Sequence, residues 1–278
     1  MTQPPALTDL AALARHRARA RSLPGHDDAL FLHRLAFADL EDRLTEVNRR
    51  FTTPAFVTGF PKIFAEWPGS TVVPDDDIIA LDPIAHDLVV HFMGLHWAND
   101  PVGQLVQCRR ALKPDGLCLV VLPGGRSLQE LRAALAEAEA AMTGGLSPRV
   151  LPMGEIRDLG ALMQRAGFAL PVADSLVQKI EYRSFAALLS DLRASGETNA
   201  LTTRLRRFTR RDVLAEAARI YEGTYSTPEG RVTATAELVV LTGWAPHESQ
   251  QVPLRPGSAK ARLADALGVP EKPLSKDG

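Results

Sequence analysis

The chain has 278 residues, 45% hydrophobic, 23% charged and 6% aromatic, a globular profile that excludes collagen-like, disordered and low-complexity chains. Thirty-two Lys and Arg against 33 Asp and Glu leave a formal net charge of −1, which argues against a protein that coats nucleic acid. Cys108 and Cys118 stand without a Cys-x-x-Cys or Cys/His cluster, so neither a disulfide framework nor a zinc site is expected, and no apolar run reaches the ~18 residues needed to span a bilayer.

In chain order, residues 1–27 read as a peripheral N-terminal arm, with Pro4, Pro5, Pro24 and Gly25 around a basic stretch. The acid-poor run Arg15, Arg17, Arg19, Arg21 superficially resembles an organelle transit peptide, but charge runs ordinarily form an exposed helix face, and that is the expectation here. From Asp28 the pattern turns helical: Leu40, Leu44, Val47 and Phe51 make one apolar stripe, and Pro54 should end the helix. Residues 55–58 read as a buried strand with Gly59 in the turn behind it. A brief helix over 61–67, a short strand over 70–73 and the acidic stretch Asp75, Asp76, Asp77 follow.

Residues 87–91, Asp-Leu-Val-Val-His, have the near-continuous β-branched character of a strand buried on both faces. Asn99-Asp100-Pro101 opens a helix to Leu112, Lys113-Pro-Asp-Gly116 makes a turn, and 117–122 is the next buried strand. Ser127 with Glu130 three positions later reads as a capping box for a helix through Met142. Further elements are a helix over 154–166 stopped by Gly167, a strand over 177–182, helix over most of 184–222, and a strand over 237–244. Strands alternating with helices predict an α/β domain around a mostly parallel sheet with helices on both faces. Its expected bounds are 28–252, with a helical insertion over 183–230 and a tail over 253–278.

The succession Asp87-Leu-Val-Val90, Leu95-His-Trp97 and Leu112-Lys-Pro-Asp-Gly116 resembles the second half of a class I S-adenosylmethionine (SAM)-dependent methyltransferase, a Rossmann-like fold. Further segments narrow the match: Leu95-His-Trp-Ala-Asn-Asp100, Gly124-Gly125, Glu130-Leu-Arg132, Gly144-Gly-Leu-Ser-Pro148, Asp158-Leu-Gly160, Arg165-Ala-Gly-Phe168, Asp191-Leu-Arg193, Gly196-Glu-Thr-Asn199 and Thr242-Gly-Trp244 with His247-Glu-Ser-Gln250. Together they resemble the methyltransferase-fold assembly factors of respiratory complex I, the family of the mitochondrial NADH:ubiquinone oxidoreductase assembly factor 5; malonyl-carrier-protein methyltransferases are next nearest. The resemblance implies SAM as a cofactor candidate and action on, or escort of, a protein client such as a complex I peripheral-arm subunit. It places the chain in a bacterial cytoplasm or on the mitochondrial matrix side, with peripheral membrane association open. The family's mitochondrial members are associated with hydroxylation of an arginine.

The cofactor motif of that superfamily is degenerate. Where a Gly-rich turn, broadly Asp-x-Gly-x-Gly-x-Gly, would approach the ligand with bare backbone, this chain has Ala55-Phe-Val-Thr-Gly-Phe-Pro61, with only Gly59 kept and Phe60 and Pro61 intruding. One βαβ unit takes roughly 30 residues, so the segment before Asp87 is too short for the two units expected, and a strand–helix pair, including the strand of the ribose-binding acid, should be missing or reduced. Asp75, Asp76 and Asp77 nearly fit the ribose-binding acid by their distance from Gly59, while Asp75 matches the later, adenine-side acid by its distance before Asp87.

If SAM binding is retained, the cofactor candidates are Thr58, Gly59, Asp75 and His91; if not, the chain is a pseudoenzyme that binds its client. Substrate or partner candidates are His96, Trp97, Arg126 and Arg149, with Ser147 and Glu155 on the same loops. Trp97 is expected to serve core packing before any substrate contact. No catalytic residue is assigned. His86, His91 and His96, five residues apart, do not share a face and predict no metal site. Arg204, Arg206, Arg207, Arg210 and Arg211 read as a solvated face at a helix start, with docking of an acidic partner as the alternative.

Overall fold

The computed structural model describes residues 6–250; residues 1–5 of the expected arm and the expected tail from Pro253 lie outside the described residues. Six strands, β1 (Pro54–Thr58), β2 (Thr71–Val73), β3 (His86–Phe92), β4 (Leu112–Pro123), β5 (Ala169–Tyr182) and β6 (Val232–Trp244), form one sheet in the order β2-β1-β3-β4-β6-β5. β2, β1, β3 and β4 pair in parallel, and β6 runs antiparallel between β4 and β5. The mostly parallel, Rossmann-like sheet expected from the sequence is therefore what forms.

Helices cover both faces, because the buried strands carry apolar side chains alternately up and down. On one face Phe56, Leu88, Val90, Leu117, Leu119 and Val240 pack with Leu40 of α3 (Phe31–Glu46). On the other, Val57, Val89, Cys118, Val120 and Leu241 pack with Leu105 and Cys108 of α4 (Pro101–Ala111) and Met163 of α6 (Ile156–Arg165). The remaining helices are α1 (Leu10–Arg21), α2 (His26–Ala29), α5 (Gln129–Thr143), α7 (Phe185–Ser195) and α8 (Arg211–Thr224). α5, α7 and α8 make their own apolar cluster around Leu131, Leu188 and Tyr221.

Several local expectations are corrected. The helix expected up to Pro54 stops at Glu46, and Pro54 opens β1. Ser127 and Glu130 do not cap α5. Ser127 Oγ donates to the Glu237 carbonyl and accepts from the Glu237 amide, both at 3.0 Å, while Glu130 binds the amide and hydroxyl of Thr235, so both residues dock α5 on β6. β5 and β6 begin well before 177 and 237: Asp174 and Ser175 blur the period of the edge strand β5, and in β6 the largely buried Thr/Ala alternation of 233–236 lacks the large apolar residues that mark a strand. The region 184–222 is two helices parted by an irregular stretch after Gly196 (φ +91).

The front of the sheet is reduced as expected: one 3-10 turn, Pro61–Phe64, stands between β1 and a three-residue β2. The strand leading to the acid is kept in reduced form, matching the short strand read over 70–73. β2 pairs in parallel with β1, and Asp75 follows two positions after its end. This is where the acidic residue after the second strand stands in dinucleotide folds, a position compatible with the ribose-side alternative for Asp75.

Candidate functional site

The sheet order turns between β1 and β3, with β2 on one side of β1 and β3 on the other. The crevice outside the carboxyl ends of strands at such a point is where open α/β sheets bind ligands. Thr58, Gly59, Phe60, Asp75, His91 and Gly94 meet here. Thr58 is buried, and its Oγ1 accepts the Phe60 amide at 3.0 Å. The Phe60 ring is buried against His33 of α3, with ring centroids 4.0 Å apart. Met93 takes φ +50, a region costly for an unbranched apolar residue, and turns the chain so that bare backbone at Gly94 faces Asp75: a Cβ there would lie 2.3 Å from Asp75 Oδ2.

The space over Gly59 is filled from a distant part of the chain. Arg17, on α1, sends its guanidinium across the bend, and a Cβ built on Gly59 would lie 2.2 Å from Arg17 Nη1. Nη1 donates to both Asp75 oxygens, at 2.8 and 2.9 Å, and the guanidinium carbon sits 5.2 Å from the centre of the Phe60 ring, within cation–π range. The two side chains are 9% and 7% exposed, so the ion pair is buried. Arg17 Nε and Nη2 are buried without a hydrogen-bond partner. The basic run is thus corrected at one position: Arg15, Arg19 and Arg21 are exposed, but Arg17 lies on the inner face of α1 with Leu13 and Ala20.

This geometry decides how a SAM nucleoside fits. Its diol would need the Asp75 carboxylate, and its chain the bare backbone at Gly59; the first is bound to Arg17 and the second is covered by it. With α1 in place the residues present do not fit the group.

His91 is fully buried at the end of β3. Its Nε2 meets Gln104 Oε1 at 2.8 Å, Gln104 Nε2 donates to the Asp76 carbonyl at 3.1 Å, and Nδ1 lacks a partner. Burial lowers its pKa, as it does for His33, which is pushed down to about 4 and has neither ring nitrogen paired. Both are therefore neutral near pH 7. Beside them, Glu197 accepts from Trp97 Nε1 at 2.9 Å and lies 3.3 Å from His96 Nε2. Burial alone would raise the Glu197 carboxyl, but the His96 hydrogen bond and charge, with Arg17 and His33 nearby, bring it to about 2.

Trp97 packs with Leu13, Leu151, Ala200 and Leu201. It also borders a cavity of about 170 Å³ together with Arg149, Glu197 and Leu192, so Trp97 and Arg149 do come together. Arg149 is spoken for: it donates to both Glu139 oxygens at 2.7 and 3.0 Å and to Thr209 Oγ1 at 2.8 Å, and Ser147 binds the same carboxylate. Arg149 is the chief reason the Glu139 carboxyl falls to about 2. Arg126 stands apart; its amide donates to Glu237 at 2.9 Å and its side chain is exposed. Glu155 precedes α6 and packs against Gly125. In the arginine run, Arg204 and Arg206 pair with Asp9 and Arg210 with Asp212, while Phe208 is fully exposed. Among the described residues no three His, Cys, Asp or Glu side chains converge as metal ligands, and no helix is long and apolar enough to cross a membrane.

Sequence reading missed Arg17, His33, Gln104 and Glu197. Arg17 left a signal, since Leu13, Arg17 and Ala20 are spaced four and three apart and so share a helix face. His33 and Glu197 left none, because their roles depend on which elements pack together.

No protein-family model matches the chain. Among curated proteins it is 37% identical over 200 residues to the human "Arginine-hydroxylase NDUFAF5, mitochondrial", covering 72% of this chain and 58% of that protein. It is 32% identical over 160 residues to the malonyl-[acyl-carrier protein] O-methyltransferase of Xylella fastidiosa, covering 58% and 52%. The chain spans 45% to 61% of the length of the first relatives it matches. Of solved structures, the YcgJ protein of Bacillus subtilis overlaps at TM-score 0.49 and 10% identity, over 76% of this chain and 99% of that one; so loose an overlap adds nothing to the strand order already described. The likeness read from the motifs is upheld by the curated relatives: over 200 matched residues the chain is similar to proteins named arginine-hydroxylase NDUFAF5.

Proposed function

We propose that the chain serves assembly of respiratory complex I by engaging an arginine-bearing protein client at the crevice beyond β1, β2 and β3, without SAM in the usual pose. The observation that carries this is the guanidinium seated over Gly59 on Asp75 and Phe60, where a nucleotide would otherwise lie. The relatives named arginine hydroxylases supply the kind of side chain a client would offer. The client's compartment is a bacterial cytoplasm or the mitochondrial matrix side, and a peripheral-arm subunit is the candidate. His96, Trp97 and Glu197, joined by hydrogen bonds and largely buried, support the crevice from behind. A deletion strain should show reduced complex I and reduced NADH oxidation, restored by the intact gene and not by one carrying Asp75→Asn. Normal complex I in the deletion strain refutes the reading.

A second reading, an active SAM-dependent methyltransferase of a protein or carrier-protein substrate using Thr58, Gly59, Asp75 and His91, is favoured by the malonyl-carrier-protein methyltransferase relatives. It predicts methyl transfer from labelled SAM to malonyl carrier protein by the purified chain. Absence of label leaves the first reading.

A further inference from the structure

Arg17 is bound on three sides by groups that share nothing else. Asp75 takes both Nη1 hydrogen bonds, Phe60 offers its ring to the cation, and Gly59 gives up a side chain so that the plane can lie on the backbone. Carboxylate, ring and bare backbone are together what a planar cation requires. Yet the fit is incomplete, for Nε and Nη2 are buried and unpaired, and buried donors left without partners weigh against the state that holds them.

α1 enters the fold by a short strap. Thr8 bridges Leu201, the Asp9 amide donates to the Ala200 carbonyl at 2.8 Å, and the Asp9 side chain holds Arg204. Beside the guanidinium a cavity of about 300 Å³ opens, bounded by Arg17, Gly59, Phe60, Arg21, Lys62 and Asp27.

We infer that Gly59, Phe60 and Asp75 form a guanidinium receptor and that Arg17 is its built-in occupant, so that α1 closes the site until an arginine of the client displaces it. This rests on the reading of an arginine-bearing client and adds its regulation. Because Arg21 and Lys62 line the approach, the displacing arginine comes from a segment whose neighbouring residues are acidic.

The test is replacement of the occupant. In the full chain carrying Arg17→Ala, methylguanidine at about a hundred times its Kd should raise the unfolding temperature by roughly 5–10 °C. Methylammonium, with the same charge but no fork, should not, nor should methylguanidine act on the intact chain or on Arg17→Ala/Asp75→Asn. A peptide with glutamates around one arginine should bind Arg17→Ala at least tenfold more tightly than one with lysines there. No methylguanidine shift, an equal methylammonium shift, an undiminished shift in the double variant, or a preference for the lysine peptide overturns the proposal. If Arg17→Ala does not stay folded, its refolding yield is read instead: selective recovery with methylguanidine supports the receptor, and equal recovery with methylammonium overturns it. Normal complex I in the deletion strain would remove the client while leaving the methylguanidine result standing, so the two failures are distinguishable.

Discussion

Consider removal of the Arg17–Asp75 pair, one partner at a time and then both. The pair is buried, with contacts of 2.8 and 2.9 Å. Breaking such a pair costs about 3–5 kcal/mol, because the partner left behind keeps its desolvation without its counter-charge. Asp75→Ala strands a guanidinium whose Nε and Nη2 already lack partners, and Arg17→Ala strands a carboxylate pressed against Gly94. Each single variant should therefore lose about 3–5 kcal/mol, a large part of the ~5–15 kcal/mol of an ordinary domain. Arg17→Ala with Asp75→Ala, which removes both charges and strands neither, should lose no more than either single variant, giving a coupling of at least about 3 kcal/mol. Urea unfolding at fixed pH, with midpoints and slopes for all four chains, measures this. Single losses below about 1 kcal/mol, or losses that add within about 0.5 kcal/mol, would show that the guanidinium is not held as described.

Gly59→Ala should mimic loss of the ion pair, since its methyl group falls on Arg17 Nη1; its effect on the unfolding midpoint should largely vanish in an Arg17→Ala background. Burial moves His33 from the ordinary 6.5 to about 4, so the unfolded chain takes up that proton first as pH falls. The stability His33 contributes is whole above pH 6.5 and lost on the way down to about 4, an effect of about 3 kcal/mol that urea midpoints should show and His33→Leu should flatten. Glu139 behaves likewise in a lower window. Held at about 2 against an ordinary 4.5, mainly by Arg149, it contributes stability above pH 4.5 that fades toward pH 2, and Arg149→Ala should weaken that part of the acid-unfolding curve. A variant as acid-sensitive as the parent would contradict the assignment.

The sheet was legible because residues 88–90 and 117–122 are apolar on both faces, the pattern of strands covered on both sides. The edge strand β5 was legible only at its end, since residues 169–176 face solvent on alternate sides and carry mixed polarity. Ser127 and Glu130 show how a local motif misleads. Their spacing fits a helix cap, but pairing of β4 with β6 brings Glu237 and Thr235 within reach, and the longer-range bonds win. The degenerate turn was visible as Phe60 and Pro61, yet what fills the bend was not. Arg17 and Asp75 lie 58 positions apart, and a basic run gives no sign of which of its members turns inward until α1 is packed. The register of β2 on β1, invisible in three residues of sequence, is what fixed the position of Asp75.

The most direct measurement is a calorimetric titration of S-adenosylmethionine into the intact chain, with Arg17→Ala alongside. With Arg17 over Gly59 and bound to Asp75, the intact chain should give no saturable heat at millimolar ligand, and any binding should emerge only once Arg17 is removed. Micromolar binding to the intact chain, abolished by Asp75→Ala, would show that the bend receives a nucleotide and that Arg17 does not hold its place.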